Sequence, residues 1–198
     1  MSDLSPASRP LILASGSPRR RDLLRGLGLD IVVRPVDIDE SPFPDEKAEP
    51  YVRRLAESKA RAQGEPGELI LAADTVVAVD GDLLGKPQDE AEARSMLGRL
   101  SGRSHEVLTG VALWQPADDR LETEVVSTEV FFHPMSESEI AWYVSTGEPM
   151  DKAGAYAVQG LAAVFVERLD GNYSNVVGLP LPTVYRLLQA FGHAALGV

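Results

Sequence analysis

The chain has 198 residues, 44% of them hydrophobic and 25% charged, with a formal net charge of −11. That is apolar material for one sizeable core, or for two lobes sharing one sheet, in a soluble globular protein. The absence of cysteine excludes disulfides, thiol catalysis and a cysteine zinc site; three scattered histidines (His105, His133, His193) form no metal-binding motif, and the acidic balance argues against a nucleic-acid polymer as partner.

Residues 1–9 are polar and small and are expected to be a loose extension, with 10–198 forming a single domain. No run is long enough to span a bilayer and no basic start precedes an apolar segment, so the expected setting is cytoplasmic, without membrane contact. A buried strand over Leu11 to Ala14 runs into Ser15-Gly16-Ser17, where Ser17 is placed to N-cap a helix that has Pro18 at its first position. That helix start offers free N–H groups and a positive dipole end beside Arg19, Arg20, Arg21 and Arg25, which together suit a small, multiply charged phosphate ligand. The plainer alternative is a strand-turn-helix with solvated arginines.

Gly26 and Gly28 end the helix, and Ile31 to Val33 form a short strand. Residues 35–48 are a Pro-rich acidic loop with Asp37, Asp39 and Glu40, three oxygen donors able to hold Mg²⁺ or simply to be solvated. Glu49-Pro50 opens a helix to about Ala62. On it Lys59 shares the apolar stripe of Val52 and Leu55, while Arg53, Arg54, Glu57 and Arg61 point elsewhere. Leu69 to Val79 is a strand interrupted by Asp74, a carboxylate that must be paired, metal-bound or exposed at a strand end. Asp80-Gly81 signals a hairpin before Leu83-Leu84, and Gly85-Lys86-Pro87 a second turn that holds Lys86 rigidly. A helix over Glu90 to Leu100 follows, then paired strands over Val107 to Gln115 and Glu122 to Phe132. Ser136 caps a helix to about Ser145, with Glu139 at capping-box spacing. In the Gly-punctuated segment 151–160 backbone can approach a ligand, and the Gln159 amide can both donate to and accept from a base edge. Ala162 to Leu169 is expected as a strand, 172–180 as an ordered loop, and Pro182 to Phe191 as the last helix. His105 and Trp114 look structural. The mixture is α/β with several antiparallel pairs.

In this order, Leu13-Ala-Ser-Gly-Ser-Pro-Arg-Arg20, the Glu40 loop, Ser58-Lys59-Ala60, Ala72-Ala-Asp-Thr-Val-Val77, Gly85-Lys86-Pro87, the run from Gly102 to Gly110, Asp151-Lys-Ala-Gly154 to Gln159-Gly160, and Ser174 to Pro180 resemble the Maf family of nucleoside triphosphate pyrophosphatases. The resemblance spans about residues 10–190. It implies a mixed, strongly bent α/β sheet flanked by helices, with a cleft between two lobes, related to the inosine triphosphate pyrophosphatases. It implies hydrolysis of a nucleoside triphosphate to the monophosphate and pyrophosphate with a divalent cation, Mg²⁺ or Mn²⁺. By the same resemblance Asp74 accepts a proton from water. Ser15, Ser17, Arg19, Arg20, Lys59 and Lys86 surround the phosphates, Glu40 assists the metal or the water, and Arg19, Thr75 and Gln159 fall where the family sorts its substrates. Which of Asp74 and Glu40 binds the metal and which takes the proton is left open. Members often form dimers, so a homodimer is a further expectation.

Residues 151–160 resemble the branch acting on dTTP and UTP, with modified pyrimidine triphosphates as further candidate substrates; a sister branch acting on 7-methylguanosine triphosphate carries a Glu in this region. Two alternatives stand beside this reading: that second substrate, and a non-catalytic nucleotide-binding regulator of cell division. A P-loop phosphotransferase is disfavoured, because Gly85-Lys86 lacks the glycine five residues earlier and the hydroxyl residue after the lysine.

Overall fold

The computed structural model describes residues 9–193, so the expected N-terminal extension, apart from Arg9, lies outside the described residues. Arg9 itself is tied down: its guanidinium donates to the Gln115 side chain and to the Phe191 carbonyl at 2.8 Å.

In chain order the elements are β1 (Leu11–Leu13), α1 (Pro18–Gly26), β2 (Ile31–Val33), α2 (Ala48–Arg61), β3 (Leu69–Val79), β4 (Asp82–Leu84), α3 (Glu90–Leu100), β5 (Ser104–Gln115), β6 (Arg120–Phe132), α4 (Glu137–Ser145), β7 (Val166–Asp170), α5 (Tyr173–Val177) and α6 (Leu181–Ala190). The described strands form a seven-stranded mixed sheet in the order β2-β1-β3-β5-β6-β7, with β4 also on β3. The β1–β2 and β1–β3 pairs are parallel and the others antiparallel. The β3–β4 hairpin closes through Asp80 (φ 55°) and Gly81 (φ 87°), the two left-handed residues that a tight hairpin turn demands. Among the described residues no helix is long and apolar enough to cross a membrane.

The pairing of β3 explains where a site can form. One edge is covered by β5 from Ile70 to Ala78. On the other edge β1 covers Leu69 to Leu71 and β4 covers Val77 to Val79. Between them the edge of β3 has no strand partner, and Asp74 and Thr75 sit in that gap. The cores differ on its two sides. Before it, Leu69, Leu71 and Ala73 pack with Leu24 and Leu187, while Ile70 and Ala72 pack with Ala56 and Ala60 of α2. Beyond it, Val77 and Val79 pack with Leu97, Phe132 and Tyr143, while Val76 and Ala78 pack with Val52. Because side chains alternate along a strand, Asp74 points to the α2 face and Thr75 to the opposite one.

The approach of α2 depends on one glycine. Gly110 stands opposite Asp74 in register, and a Cβ there would lie 2.3 Å from the Val52 carbonyl oxygen.

Several expected elements differ in detail. Ser17 is the N-cap of α1 but makes no side-chain cap bond; its N–H instead donates to Ser15 Oγ at 3.2 Å. The strand expected over Ala162 to Leu169 begins only at Val166. Leu161–Phe165 is a 3-10 helix, whose three-residue period buries Ala162 and Phe165 and exposes Ala163 and Val164. The loop expected at 172–180 contains α5, capped by the Asn172 side chain, which accepts from the Asn175 N–H at 2.8 Å, and ended at Gly178 (φ 121°). The capping box at Ser136 and Glu139 is present as expected.

Candidate active site

Ten of the candidate residues line a single cleft of about 590 Å³ at the gap: Ser15, Ser17, Arg19, Arg20, Glu40, Lys59, Asp74, Thr75, Lys86 and Gln159. At its centre Asp74 and Lys59 are each only 7% exposed. Lys59 Nζ donates to Asp74 Oδ1 at 2.6 Å and lies 2.6 Å from Glu40 Oε1. A lysine on the inward stripe of α2, a carboxylate on β3 and a carboxylate on the loop before α2 therefore meet at one ammonium.

The first turn of α1 supplies the cationic wall. Arg20 is half-buried and held by three bonds: Nε to the Gly178 carbonyl (2.8 Å), Nη1 to Ser15 Oγ (3.2 Å) and Nη2 to Thr75 Oγ1 (3.0 Å). Burial lowers its pKa from the ordinary guanidinium value, and the charge of Asp74 offsets part of that. It remains a cation, and a guanidinium has five N–H donors, so two are left for an anion. Arg19 lies 3.5 Å from Asp151, a carboxylate that also pairs with Lys152. Lys86 is exposed at the rim and makes no ion pair among the described residues. Arg21 and Arg25, expected as part of the basic cluster, do not line the cleft; the helical turn carries them off that face, and Arg21 pairs with Asp22.

The acidic loop does not deliver three carboxylates. Asp37 and Asp39 are absent from the cleft, and Asp39 is used in its own turn, accepting from the Ser41 N–H at 2.9 Å. Among the described residues no group of three or more His, Cys, Asp or Glu could hold a metal ion. Asp74 and Glu40 still converge on one point, now filled by the Lys59 ammonium. Two carboxylates there suit a hard divalent cation that completes its shell with phosphate oxygens and water.

A model of the family described as Maf-like protein matches residues 10–191. The chain belongs to this family. It is 54% identical over 186 residues to the dTTP/UTP pyrophosphatase of Anaeromyxobacter sp. (strain Fw109-5), covering 92% of this chain and 90% of that one. It is 52% identical over 185 residues to the dTTP/UTP pyrophosphatase of Symbiobacterium thermophilum, covering 92% and 94%. The dTTP/UTP pyrophosphatase of Hahella chejuensis is 50% identical over 197 residues, 97% of each chain. The fold resembles the solved structure of the Staphylococcus aureus Ham1 protein, with a TM-score of 0.52, 14% identity, and 92% and 99% of the two chains covered.

Within this Maf-family cleft the segment 151–160 forms the wall facing Arg19. Gly154 (φ 67°) packs so closely that a Cβ would lie 2.7 Å from Val77 Cγ2, and its N–H donates to the Gly85 carbonyl at 3.0 Å. That bond ties the Lys86 turn to the Gln159 segment. Gln159 is exposed at the cleft margin. Sequence reasoning missed Tyr51, whose hydroxyl donates to the Glu40 carbonyl at 2.9 Å. Burial, and then the charges of Asp74 and Glu40, push its pKa up to about 12, so it is a neutral donor. Its place at i−8 from Lys59, on the same helical stripe, was the available signal.

Tyr156, also in the lining, is held from below by His105 Nε2 at 2.8 Å. Burial, and then the charge of Arg103, push the His105 imidazole down to about 4. The folded state thus keeps His105 neutral where the unfolded chain protonates it. Stability is full above the unfolded pKa and falls as pH drops from about 6.5 to about 4, by up to ~3 kcal/mol from this group. Urea unfolding at pH 7.5 and 4.5 should show a smaller loss in His105→Gln than in the unaltered chain; equal losses would contradict this.

Proposed function

We propose that this chain hydrolyses dTTP and UTP to the nucleoside monophosphate and pyrophosphate. The observation that carries the reading is the meeting of Asp74, Lys59 and Glu40 at a sheet gap walled by arginines; the names of the full-length relatives support the substrate. Water attacks the α-phosphorus, and the bond from that phosphorus to the bridging oxygen of the leaving pyrophosphate breaks. Asp74 orients the water and takes its proton. The two spare N–H groups of Arg20, with Arg19, Lys59 and Lys86, are the donors for the phosphate oxygens on which charge grows. Because Arg20 is already anchored, little reorganisation accompanies that stabilisation. Ser15 and Ser17 shape the turn beside the free N–H groups of α1. Mg²⁺ or Mn²⁺ held by Asp74 and Glu40 with phosphate oxygens would supply charge neutralisation at the same place.

Gln159 is proposed to read the base. Uracil and thymine present an N3–H donor flanked by carbonyl acceptors, which one amide can match with its oxygen and its nitrogen. Gln159→Glu keeps the acceptor but opposes a carboxylate to a carbonyl, so kcat/KM for dTTP and UTP should fall about tenfold to a hundredfold, with little change for GTP. An equal loss across all nucleotides would refute the role.

The activity is tested by incubating the pure protein with Mg²⁺ and a panel of triphosphates, 7-methylguanosine triphosphate included, and assaying pyrophosphate. Release from dTTP and UTP is expected. Nucleotide binding without pyrophosphate would point instead to a regulator.

A further inference from the structure

Lys59 reaches its two carboxylates from a helix, but Glu40 comes from an otherwise exposed loop and needs something to hold it over the cleft. The side chain that meets this need is Arg54, five residues before Lys59 on α2, which helical spacing points away from the apolar stripe. Its Nε and Nη2 donate to the two oxygens of Glu46 at 2.8 and 2.7 Å, and Nη2 also donates to the Ser41 carbonyl at 3.1 Å. Its guanidinium lies 4.1 Å from the centre of the Phe43 ring. Glu46 in turn accepts from the Phe43 N–H at 2.9 Å, and the Glu46 N–H donates to the Phe43 carbonyl at 3.0 Å, closing a turn over 43–46. One guanidinium therefore clasps Ser41, Phe43 and Glu46, and the residue before Ser41 is Glu40. Tyr51 fixes the peptide between Glu40 and Ser41, its hydroxyl donating to the Glu40 carbonyl at 2.9 Å.

We propose that Arg54 is a positioning residue: it locks the 41–46 turn onto α2 and so sets Glu40 above Lys59 and Asp74 before any substrate enters. The inference rests on the functional role proposed above for Glu40. It requires arginine. A planar fork can bind a carboxylate with two bonds, spend a further N–H on a carbonyl and stack its face on a ring; a lysine ammonium cannot do all three. Glu46 is held well below the usual carboxylate range, its hydrogen bonds from Arg54 outweighing the burial that opposes it, so the clasp stays ionised through the neutral range.

The test is a double-mutant cycle with Arg54→Lys and Glu40→Gln, read as kcat for dTTP hydrolysis, together with hydrogen exchange of the peptide spanning 41–46 in the free protein. Arg54→Lys should lower kcat about tenfold in the unaltered chain and less than about twofold in the Glu40→Gln background, since coupled residues are not additive. Exchange over 41–46 should rise in Arg54→Lys and stay unchanged in Glu40→Gln. The same fold-loss in both backgrounds, or no loss in either, overturns the proposal, because Arg54 would then act through something other than Glu40. Full turnover in Glu40→Gln alone would remove the role of Glu40 itself. A normal Glu40→Gln defect with an additive Arg54→Lys effect would remove only the clasp.

Discussion

Asp74→Asn should lower the turnover of dTTP about a thousandfold and leave the protein folded. General-base catalysis of this kind contributes about 10²–10⁴ in rate, and the amide can neither take the proton nor share a cation with Glu40. The substitution keeps the shape of a side chain that is only 7% exposed, and Lys59 retains Glu40 as a partner 2.6 Å away, so the buried ammonium is not left alone. Burst-free steady-state rates with matched circular dichroism spectra would check both halves. Turnover within a few-fold of the unaltered chain would show that the proton goes elsewhere.

Gly110→Ala should be the most damaging single methyl in the molecule for the site. The new Cβ would stand 2.3 Å from the Val52 carbonyl oxygen and 3.0 Å from the Arg53 nitrogen, both backbone atoms of α2 that no side-chain rotation can clear. The helix must move off the sheet, and it carries Tyr51, Arg54 and Lys59 with it. Overpacking of this kind costs about 1–3 kcal/mol and occasionally more, and a backbone contact this short places the cost at the upper end. Urea unfolding should show a loss of about 3 kcal/mol, and the remaining folded protein should turn over dTTP at least tenfold more slowly, since ångström-scale misplacement of reacting groups is expensive. Native stability with native turnover would mean that α2 does not depend on that close approach.

How much was legible beforehand follows from the range of each interaction. Asp74 stood out because an apolar strand tolerates no unpaired carboxylate, and Lys59 because helical spacing put it among Val52 and Leu55; both signals are local. Their meeting depends on the sheet gap, which arises from β1 and β4 pairing with different ends of the same edge of β3. No periodicity encodes that pairing. The acidic loop shows the converse. Three carboxylates within four positions suggested a shared ligand, yet Asp39 folds back on Ser41 and only Glu40 enters the cleft. Arg54 lies off the apolar stripe, and helical spacing, which describes what a helix shows to its sheet, carries no sign of a loop laid across its flank. The segment 161–165 misled for a simpler reason: a short apolar run satisfies a strand and a 3-10 turn equally, and the burial of Ala162 and Phe165 at a spacing of three decided it.

In the proposed reaction, water attacks the α-phosphorus from the gap beside Asp74. Hydrolysis of dTTP in ¹⁸O-labelled water, with mass spectrometry of both products, tests it directly. One heavy oxygen is expected in the nucleoside monophosphate and none in the pyrophosphate. Label found in the pyrophosphate, or in released orthophosphate, would contradict it.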